Sequence, residues 1–185
     1  MFRIKSLIKT YLDMLGINGL GRIGRLVLRS TFENPRGINV SVVNDPFMDA
    51  KLLKYLISYD SAHGRFPFNV ELWEHGVVVN GRKIRLYTET DPTKIPWGEH
   101  NAATVCESTG KFLTTETALN HLKSGAKKVI ISAPPKDETP LFVYGVNHEG
   151  YTADKNVVSN ASCTTNCLAP VAKVIHDNFT ITEGK

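Results

Sequence analysis

The sequence predicts an α/β fold in which helices cover both faces of a doubly wound, mostly parallel sheet. Short apolar runs of strand length alternate with segments whose apolar residues recur at helical spacing. A glycine-rich turn separates the first of these runs from the first helical segment. Small polar residues follow several later runs, at the carboxyl ends where such sheets bind ligands. Together these observations indicate a Rossmann-type arrangement.

The predicted elements follow one another in the order that this fold requires. A first strand ends at Ile17, and Ile23, Leu26, Val27 and Phe32 lie at helical spacing after the glycine turn. We then expect strands over 38–43, 70–72, 77–79, 84–87, 104–107, 129–132, 141–143 and 157–158, and helices over 50–58, 115–125 and 168–179. Asn80-Gly81 is the dipeptide typical of a tight hairpin turn, so the strands on either side of it should pair.

Composition places the chain among ordinary globular proteins. Its 185 residues are 42% hydrophobic and 22% charged, enough for one cored domain or slightly more. No apolar run approaches the roughly eighteen residues that span a bilayer. Three cysteines without a secretory signal suit a reducing compartment, and we expect a cytoplasmic protein. The net charge of +4 is spread along the chain and does not indicate a nucleic-acid partner.

The glycine turn has the pattern of a dinucleotide-binding site. Gly19, Gly21 and Gly24 form G-x-G-x-x-G between a strand and a helix, where backbone can approach a pyrophosphate that the helix N-terminus attracts. Asp45 ends the next strand about twenty residues later, where an acidic residue accepts hydrogen bonds from an adenosine ribose. An aspartate there favours NAD over NADP. The competing interpretation of Asp45 is an ordinary turn residue before Pro46.

Further cofactor contacts are expected beside this turn and at the ends of later strands. Arg22 lies inside the turn and could contact phosphate, although it could also be a solvated helix charge. Four small residues occupy carboxyl ends of predicted strands, where ligands bind: Ser108, Thr109, Gly110 and Ser132. Taken singly, each could be a simple turn residue.

Cys163 is the candidate nucleophile. It lies where an apolar strand gives way to a helical run, and the unpaired N–H groups of a helix start favour thiolate over thiol. The same N–H groups could hold an oxyanion, and the hydroxyls of Ser162 and Thr164 could bind a phosphate group. Cys106 should be an inert core thiol. Cys167, one turn after Cys163, suggests a metal pair, but two further soft ligands are missing, so we expect no metal.

The chain resembles the phosphorylating glyceraldehyde-3-phosphate dehydrogenase family in six stretches: GINGLGRIGR, VNDPF, YDSAHGRF, ESTG, GAKKVIISAP and SNASCTTNCLAP. The resemblance covers residues 15–185, and the last stretch is highly specific. It implies an NAD-binding domain at 15–161, the start of a catalytic domain at 162–185, and an atypical N-terminal extension at 1–14. The family's histidine base is expected beyond Lys185, so the resemblance implies an incomplete catalytic domain.

The resemblance also implies a reaction. Cys163 would attack the aldehyde of glyceraldehyde 3-phosphate, hydride would pass to NAD, and inorganic phosphate would release the thioester as 1,3-bisphosphoglycerate in glycolysis. Arg22, Ile23, Asp45 and Ser132 match cofactor positions of the family, and Ser162 and Thr164 match positions around substrate or phosphate. A homotetramer is the implied assembly. Erythrose 4-phosphate is an alternative substrate because enzymes that act on it share these motifs.

Two other functions stay open at this point. A truncated paralogue could bind NAD without catalysis, and a subunit could act by mixing with full-length chains. The role of the first residues is open too. Ile4, Leu7 and Ile8 share a helical face, as at the start of a transit peptide. That segment is short for targeting and holds a single arginine, so a divergent extension or a misassigned start is the favoured interpretation.

Overall fold

The computed structural model describes residues 14–34 and 37–184. Its centre is an eight-stranded sheet in the order β10-β9-β8-β1-β2-β7-β6-β5, and a two-stranded hairpin, β3-β4, lies apart from it. The strands are β1 (Leu15–Asn18), β2 (Val40–Asn44), β3 (Tyr59–Asp60), β4 (Gly64–Arg65), β5 (Val70–Trp73), β6 (Gly76–Val79), β7 (Arg82–Tyr87), β8 (Thr104–Glu107), β9 (Lys128–Ile131) and β10 (Val157–Ser159). The atypical extension predicted at 1–14 lies, apart from Met14, outside the described residues.

The sheet is doubly wound about β1. Strands β10, β9, β8, β1, β2 and β7 run parallel, whereas β6 is antiparallel to both of its neighbours, β7 and β5. The chain proceeds from β1 to β2 on one side and later returns to pair β8 with the other side of β1. Strand order therefore reverses at β1, which creates a crevice beyond its carboxyl end. The predicted Rossmann-type α/β class is confirmed.

The helices are α1 (Arg22–Glu33), α2 (Ala50–Ser58), α3 (Thr115–Ala118), α4 (Asn120–Lys123) and α5 (Cys163–Phe179), and short 3-10 turns lie at Pro92–Lys94, Gly98–His100 and His148–Gly150. The predicted bounds of α2 and β8 are confirmed. The single helix predicted over 115–125 is wrong, because the chain tightens at Leu119. There the Leu122 N–H donates to the Leu119 carbonyl at 3.0 Å, a 3-10 bond.

Two other predicted elements differ from the structure. Helix α5 begins at Cys163, five residues before the predicted start, because Ser162 caps it and the small polar residues after the cap are already helical. The strand predicted over 141–143 is reduced to one parallel bridge between Leu141 and Ser159. Pro140 immediately before that bridge has no N–H to extend a ladder.

Apolar side chains cover both faces of the sheet. Neighbouring residues of β2 point in opposite directions, so Val43 joins the cluster that contains Leu28 and Leu53, and Val42 joins the cluster around Trp97. A third cluster lies over the other half of the sheet and comprises Ala118, Val129, Ile131 and Val157. This two-sided burial explains why the consecutive residues Val42 and Val43 of β2 are both apolar and both fully buried. Over 14–34 and 37–184, no helix combines the length and apolarity needed to cross a bilayer.

The predicted hairpin turn is confirmed. Asn80 and Gly81 both have positive φ angles, 46° and 78°, and they join the antiparallel strands β6 and β7. Positive φ at both central residues is the signature of the turn that matches strand twist.

The glycine turn brings the start of α1 against the end of β1. A Cβ built on Gly24 would lie 1.9 Å from the carbonyl oxygen of Gly19, and Gly19 itself has a φ of 91°. Gly21, by contrast, faces open space, with no atom within 4 Å of an added Cβ. Gly24 therefore fixes the packing of helix on strand, and Gly21 leaves room above the turn.

Alanine substitution should separate these two roles. Gly24→Ala should lower the free energy of unfolding by about 2 kcal/mol or more, because helix and strand must move apart. Gly21→Ala is the matched control and should change stability by less than about 0.5 kcal/mol. Chemical denaturation of both variants measures the difference, and equal stabilities would contradict the close packing at Gly24.

Candidate functional site

The carboxyl ends of the parallel strands are joined into one edge by backbone hydrogen bonds that continue past the strands. The Gly19 N–H donates to the backbone carbonyl of Asn44 at 2.8 Å, and the Ser108 N–H donates to the backbone carbonyl of Asn18 at 2.7 Å. The Ser132 N–H donates in the same way to Glu107 at 2.9 Å. The turn after β1 is therefore held between the turns that follow β2 and β8.

A cavity of about 200 Å³ opens at this edge. Five predicted cofactor residues line it: Gly19, Gly21, Asp45, Ser108 and Thr109. The other lining residues are Asn18 at the end of β1 and residues of the loops after β2, β7 and β8: Pro46, Phe47, Glu89, Thr90, Pro92, Ile95, Lys111 and Phe112. The residues that the glycine motif and the strand-end rule selected separately thus meet in one cavity.

Asp45 is held in place by backbone on both sides. Its Oδ2 accepts from the Leu20 N–H at 2.8 Å, and its Oδ1 accepts from the Phe47 N–H at 2.9 Å. Each carboxylate oxygen can accept a second hydrogen bond, so acceptor capacity is left for a hydroxyl group in the cavity. Asp45 is thus both a clamp on the glycine turn and a polar group of the cavity wall.

Helix α1 begins without a side-chain cap, unlike the other long helices of the described residues. Gly21 occupies its N-cap position and makes no side-chain hydrogen bond. Asp49 caps α2 and Ser162 caps α5 through their side chains. The first N–H groups of α1 therefore keep their hydrogen-bonding capacity and the positive end of the helix dipole, as an anion site requires.

Arg22 reaches away from that anion site. Its Nη1 donates to Asp60 Oδ2 at 2.7 Å, and its Nη2 lies 3.4 Å from His63 Nδ1. The His63 N–H, helped by the Ala62 N–H and the charge of Arg22, holds the pKa of Asp60 well below its usual range. Arg22 and Ile23 lie in the first turn of α1, so their backbone N–H groups are among those that no side chain caps. The Arg22 guanidinium, in contrast, is bound by Asp60.

Ser132 joins the site through Ser108 rather than through the cavity wall. Its hydroxyl donates to Ser108 Oγ at 2.9 Å, and Ser108 Oγ in turn lies 3.3 Å from Cys106 Sγ. Gly110 completes the turn after β8 with a φ of 72° and open space beside it. Burial raises the pKa of the Cys106 thiol, which fits the inert core role expected for it.

Cys163 is exposed and is the first residue of α5. Ser162 caps this helix by accepting from the Thr165 N–H at 3.0 Å, and its hydroxyl lies 2.8 Å from Thr164 Oγ1. Before the cap, Ala161 is buried and has a φ of 67°, and its N–H donates to Ser159 Oγ at 2.9 Å. A left-handed alanine is a strained connection that this hydrogen bond and burial maintain, and it turns the chain sharply into the helix.

Cys163, Ser162 and Thr164 do not line the cavity. They follow β10, which is separated from β1 by β9 and β8, so three strand spacings, on the order of 14 Å, separate β10 from β1 along the edge. The same edge therefore carries a cavity near β1 and an exposed thiol at a helix start near β10.

The chemistry of the cavity lining suits one half of a dinucleotide. It has open space above Gly21, uncapped N–H groups at α1, a carboxylate with spare acceptor capacity, and the rings of Phe47 and Phe112 in its walls. The ammonium of Lys111 lies 5.8 Å from the centre of the Phe47 ring. Aromatic walls of this kind suit a planar base, and the sequence contained no spacing rule that would have selected them.

Comparison with known proteins agrees with this geometry. Residues 14–115 match the family model described as glyceraldehyde 3-phosphate dehydrogenase, NAD binding domain, and residues 162–185 match the C-terminal domain of the same family. The chain is 57% identical to glyceraldehyde-3-phosphate dehydrogenase of Sordaria macrospora over 170 residues, which cover 92% of this chain and 50% of that protein. It is 56% identical, with the same coverage, to the enzymes so named from Aspergillus oryzae and Neurospora crassa.

The chain spans about half the length of the relatives it matches. The first family match covers more than half of the chain and includes the glycine turn, Asp45 and the turn after β8. The chain therefore belongs to the glyceraldehyde-3-phosphate dehydrogenase family and carries that family's NAD-binding domain.

Proposed function

We propose that this chain is the cofactor-binding part, with the nucleophile, of an enzyme that oxidises and phosphorylates glyceraldehyde 3-phosphate in the cytoplasm. Residues 15–161 would form the NAD-binding domain and residues 162–185 the start of the catalytic domain. The proposal extends to a homotetramer by likeness to the family. The observation that carries this proposal is that the cavity at β1 and the exposed Cys163 thiol both lie at the edge formed by the carboxyl ends of the parallel strands.

The cofactor contacts are proposed from the geometry of the cavity. Asp45 would accept from the adenosine ribose, and the backbone N–H groups at Gly21, Arg22 and Ile23 would hold the pyrophosphate. Bound NAD would supply the hydride acceptor. Ser108 and Thr109 would form part of the wall of the cofactor site, Gly110 would complete the turn that carries them, and Ser132 would support Ser108. Gly19 and Gly24 would fix the glycine turn.

The covalent steps are proposed for the Cys163 thiolate. Its sulfur would bond to the aldehyde carbon of the substrate, and the resulting alkoxide would take a proton from water to give a thiohemiacetal. Transfer of the hydride to bound NAD and of the hydroxyl proton to water would leave a thioester on Cys163. A phosphate oxygen would then attack the acyl carbon, expel the thiolate and form 1,3-bisphosphoglycerate. The N–H groups at the start of α5 and the Thr164 hydroxyl would stabilise oxyanions and phosphate.

Cys163 should react faster with iodoacetamide than either other cysteine at neutral pH. Cys106 is protected by burial, which also raises the pKa of its thiol. Cys167 is the informative control because it is exposed too, but it lies one turn further from the helix N-terminus. Peptide mapping after timed alkylation measures the three rates. Equal rates at Cys163 and Cys167 would mean that exposure alone governs reactivity.

Replacing Asp45 should weaken NAD binding and reduce discrimination against NADP. Asp45→Ala removes the proposed ribose acceptor and the charge that opposes a 2′-phosphate, so the dissociation constant for NAD should rise about tenfold. Asp45→Asn removes the charge but keeps one oxygen for backbone, so it controls for damage to the glycine turn. Calorimetric titration with NAD and with NADP measures the two dissociation constants, and unchanged affinities for both would rule out the ribose role.

The reaction itself is tested with the native polypeptide that carries this sequence. NADH should form from glyceraldehyde 3-phosphate only when inorganic phosphate is present, and faster than from erythrose 4-phosphate. Cys163→Ser should reduce the rate by about three orders of magnitude or more, whereas Cys167→Ser should retain most of it. NAD binding without NADH formation from either substrate would instead support a binding module without catalysis.

A further inference from the structure

A chain of buried polar groups runs beneath the cavity and has no part in the proposed catalytic steps. The indole Nε1 of Trp97 donates to His121 Nδ1 at 3.0 Å, and His121 Nε2 lies 2.9 Å from Glu107 Oε2. The same carboxylate oxygen accepts from Asn18 Nδ2 at 2.7 Å. Asn18 Oδ1 then accepts from Asn44 Nδ2 at 2.8 Å. Trp97, His121, Glu107, Asn18 and Asn44 are all almost completely buried.

The direction of every hydrogen bond in this chain is set by its two ends. An indole N–H can only donate, so His121 Nδ1 accepts and its proton is assigned to Nε2, which donates to Glu107. At the other end the Glu89 backbone N–H donates to Asn44 Oδ1 at 2.8 Å, so the Asn44 amide nitrogen donates onward. Both runs of donors therefore point towards Glu107.

Both carboxylate oxygens of Glu107 accordingly accept hydrogen bonds. Its Oε2 accepts from His121 and Asn18, and its Oε1 accepts from the Thr109 N–H at 2.7 Å and from the Thr109 hydroxyl. Each of its two oxygens lies within hydrogen-bond distance of two donor groups, an arrangement that suits a carboxylate. Hydrogen bonds to a charged acceptor are stronger than those between neutral groups.

Two of these donors belong to cavity residues at the ends of the neighbouring strands β1 and β8. Asn18 precedes Gly19 in the turn after β1, and Thr109 lies in the turn after β8, and both line the cavity. We propose that Glu107 is a positioning residue for the dinucleotide: its carboxylate holds the Asn18 side chain and the Thr109 turn in fixed positions, and thereby sets the shape of this wall of the cofactor site. This inference rests on the proposed NAD-dependent function.

The substitution Glu107→Gln should act mainly on the Thr109 side. The glutamine oxygen can replace Oε2 towards Asn18 and His121, whose donor directions are fixed by Asn44 and Trp97. Its NH₂ group then faces Thr109, where the hydroxyl can rotate to accept but the backbone N–H loses its acceptor. The turn after β8 should therefore shift while the buried core keeps its hydrogen bonds.

The test compares Glu107→Gln with Trp97→Phe in the native polypeptide, using NAD itself as the probe. Glu107→Gln should raise the dissociation constant and the KM for NAD about tenfold, because a hydrogen bond to a charged group is lost. Its kcat and its KM for glyceraldehyde 3-phosphate should stay within about twofold of the unsubstituted protein. Trp97→Phe disturbs the far end of the same network, so it should lower the melting temperature but change the KM for NAD by less than about twofold.

The outcomes separate the inference from the function on which it rests. Unchanged NAD affinity in Glu107→Gln, or an equal loss in Trp97→Phe, would overturn the positioning role and leave a structural network. Failure of the unsubstituted protein to bind NAD would instead contradict the proposed function. If Glu107→Gln does not fold, Thr109→Val removes the hydroxyl bond to Glu107 and the bond that this hydroxyl accepts from the Lys111 N–H, whereas Thr109→Ser keeps both. The valine variant should bind NAD a few-fold more weakly than the serine variant, and equal affinities would also overturn the inference.

Discussion

The contact between the backbone of Gly19 and Gly24 is the constraint on which the cofactor edge depends. An added Cβ on Gly24 would lie 1.9 Å from the Gly19 carbonyl oxygen, so helix α1 begins directly against the end of β1. This closeness directs the uncapped N–H groups of α1 over the crevice where strand order reverses. It also places the Leu20 N–H 2.8 Å from Asp45 Oδ2, which links the glycine turn to the end of β2.

Patterns that depend on local backbone chemistry were predictable from the sequence. The Asn80-Gly81 turn, the bounds of α2 and β8, and the glycine turn all follow from rules that involve neighbouring residues only. The break at Leu119 was not predictable in this way, because its 3-10 bond interrupts a segment with good helical spacing. The single bridge at Leu141 was not predictable either, because its partner Ser159 lies eighteen positions later in the chain.

The residues of the candidate site also fall into those that local sequence rules could select and those that they could not. Gly19, Asp45 and Thr109 could be selected because each follows an apolar strand, and parallel strands end at one edge. The wall residues Phe47 and Phe112 carry no such signal, since exposed loop aromatics have many uses. Asn18 and Glu107 did carry one, a polar residue closing a buried strand, but their connection to Trp97 and His121 required the three-dimensional structure.

Nucleotide binding and thiol reactivity depend on different parts of this edge. The cavity is built by the turns after β1, β2, β7 and β8, which the Glu107 network and Asp45 hold together. Cys163 depends instead on the Ser162 cap and on the strained Ala161, which Ser159 secures. Helix α5 also leaves Leu168, Val174 and Phe179 between 62% and 82% exposed, so its packing adds little to the cavity. A change at Glu107 should consequently alter cofactor affinity without altering the alkylation rate of Cys163, because the two rest on separate hydrogen bonds.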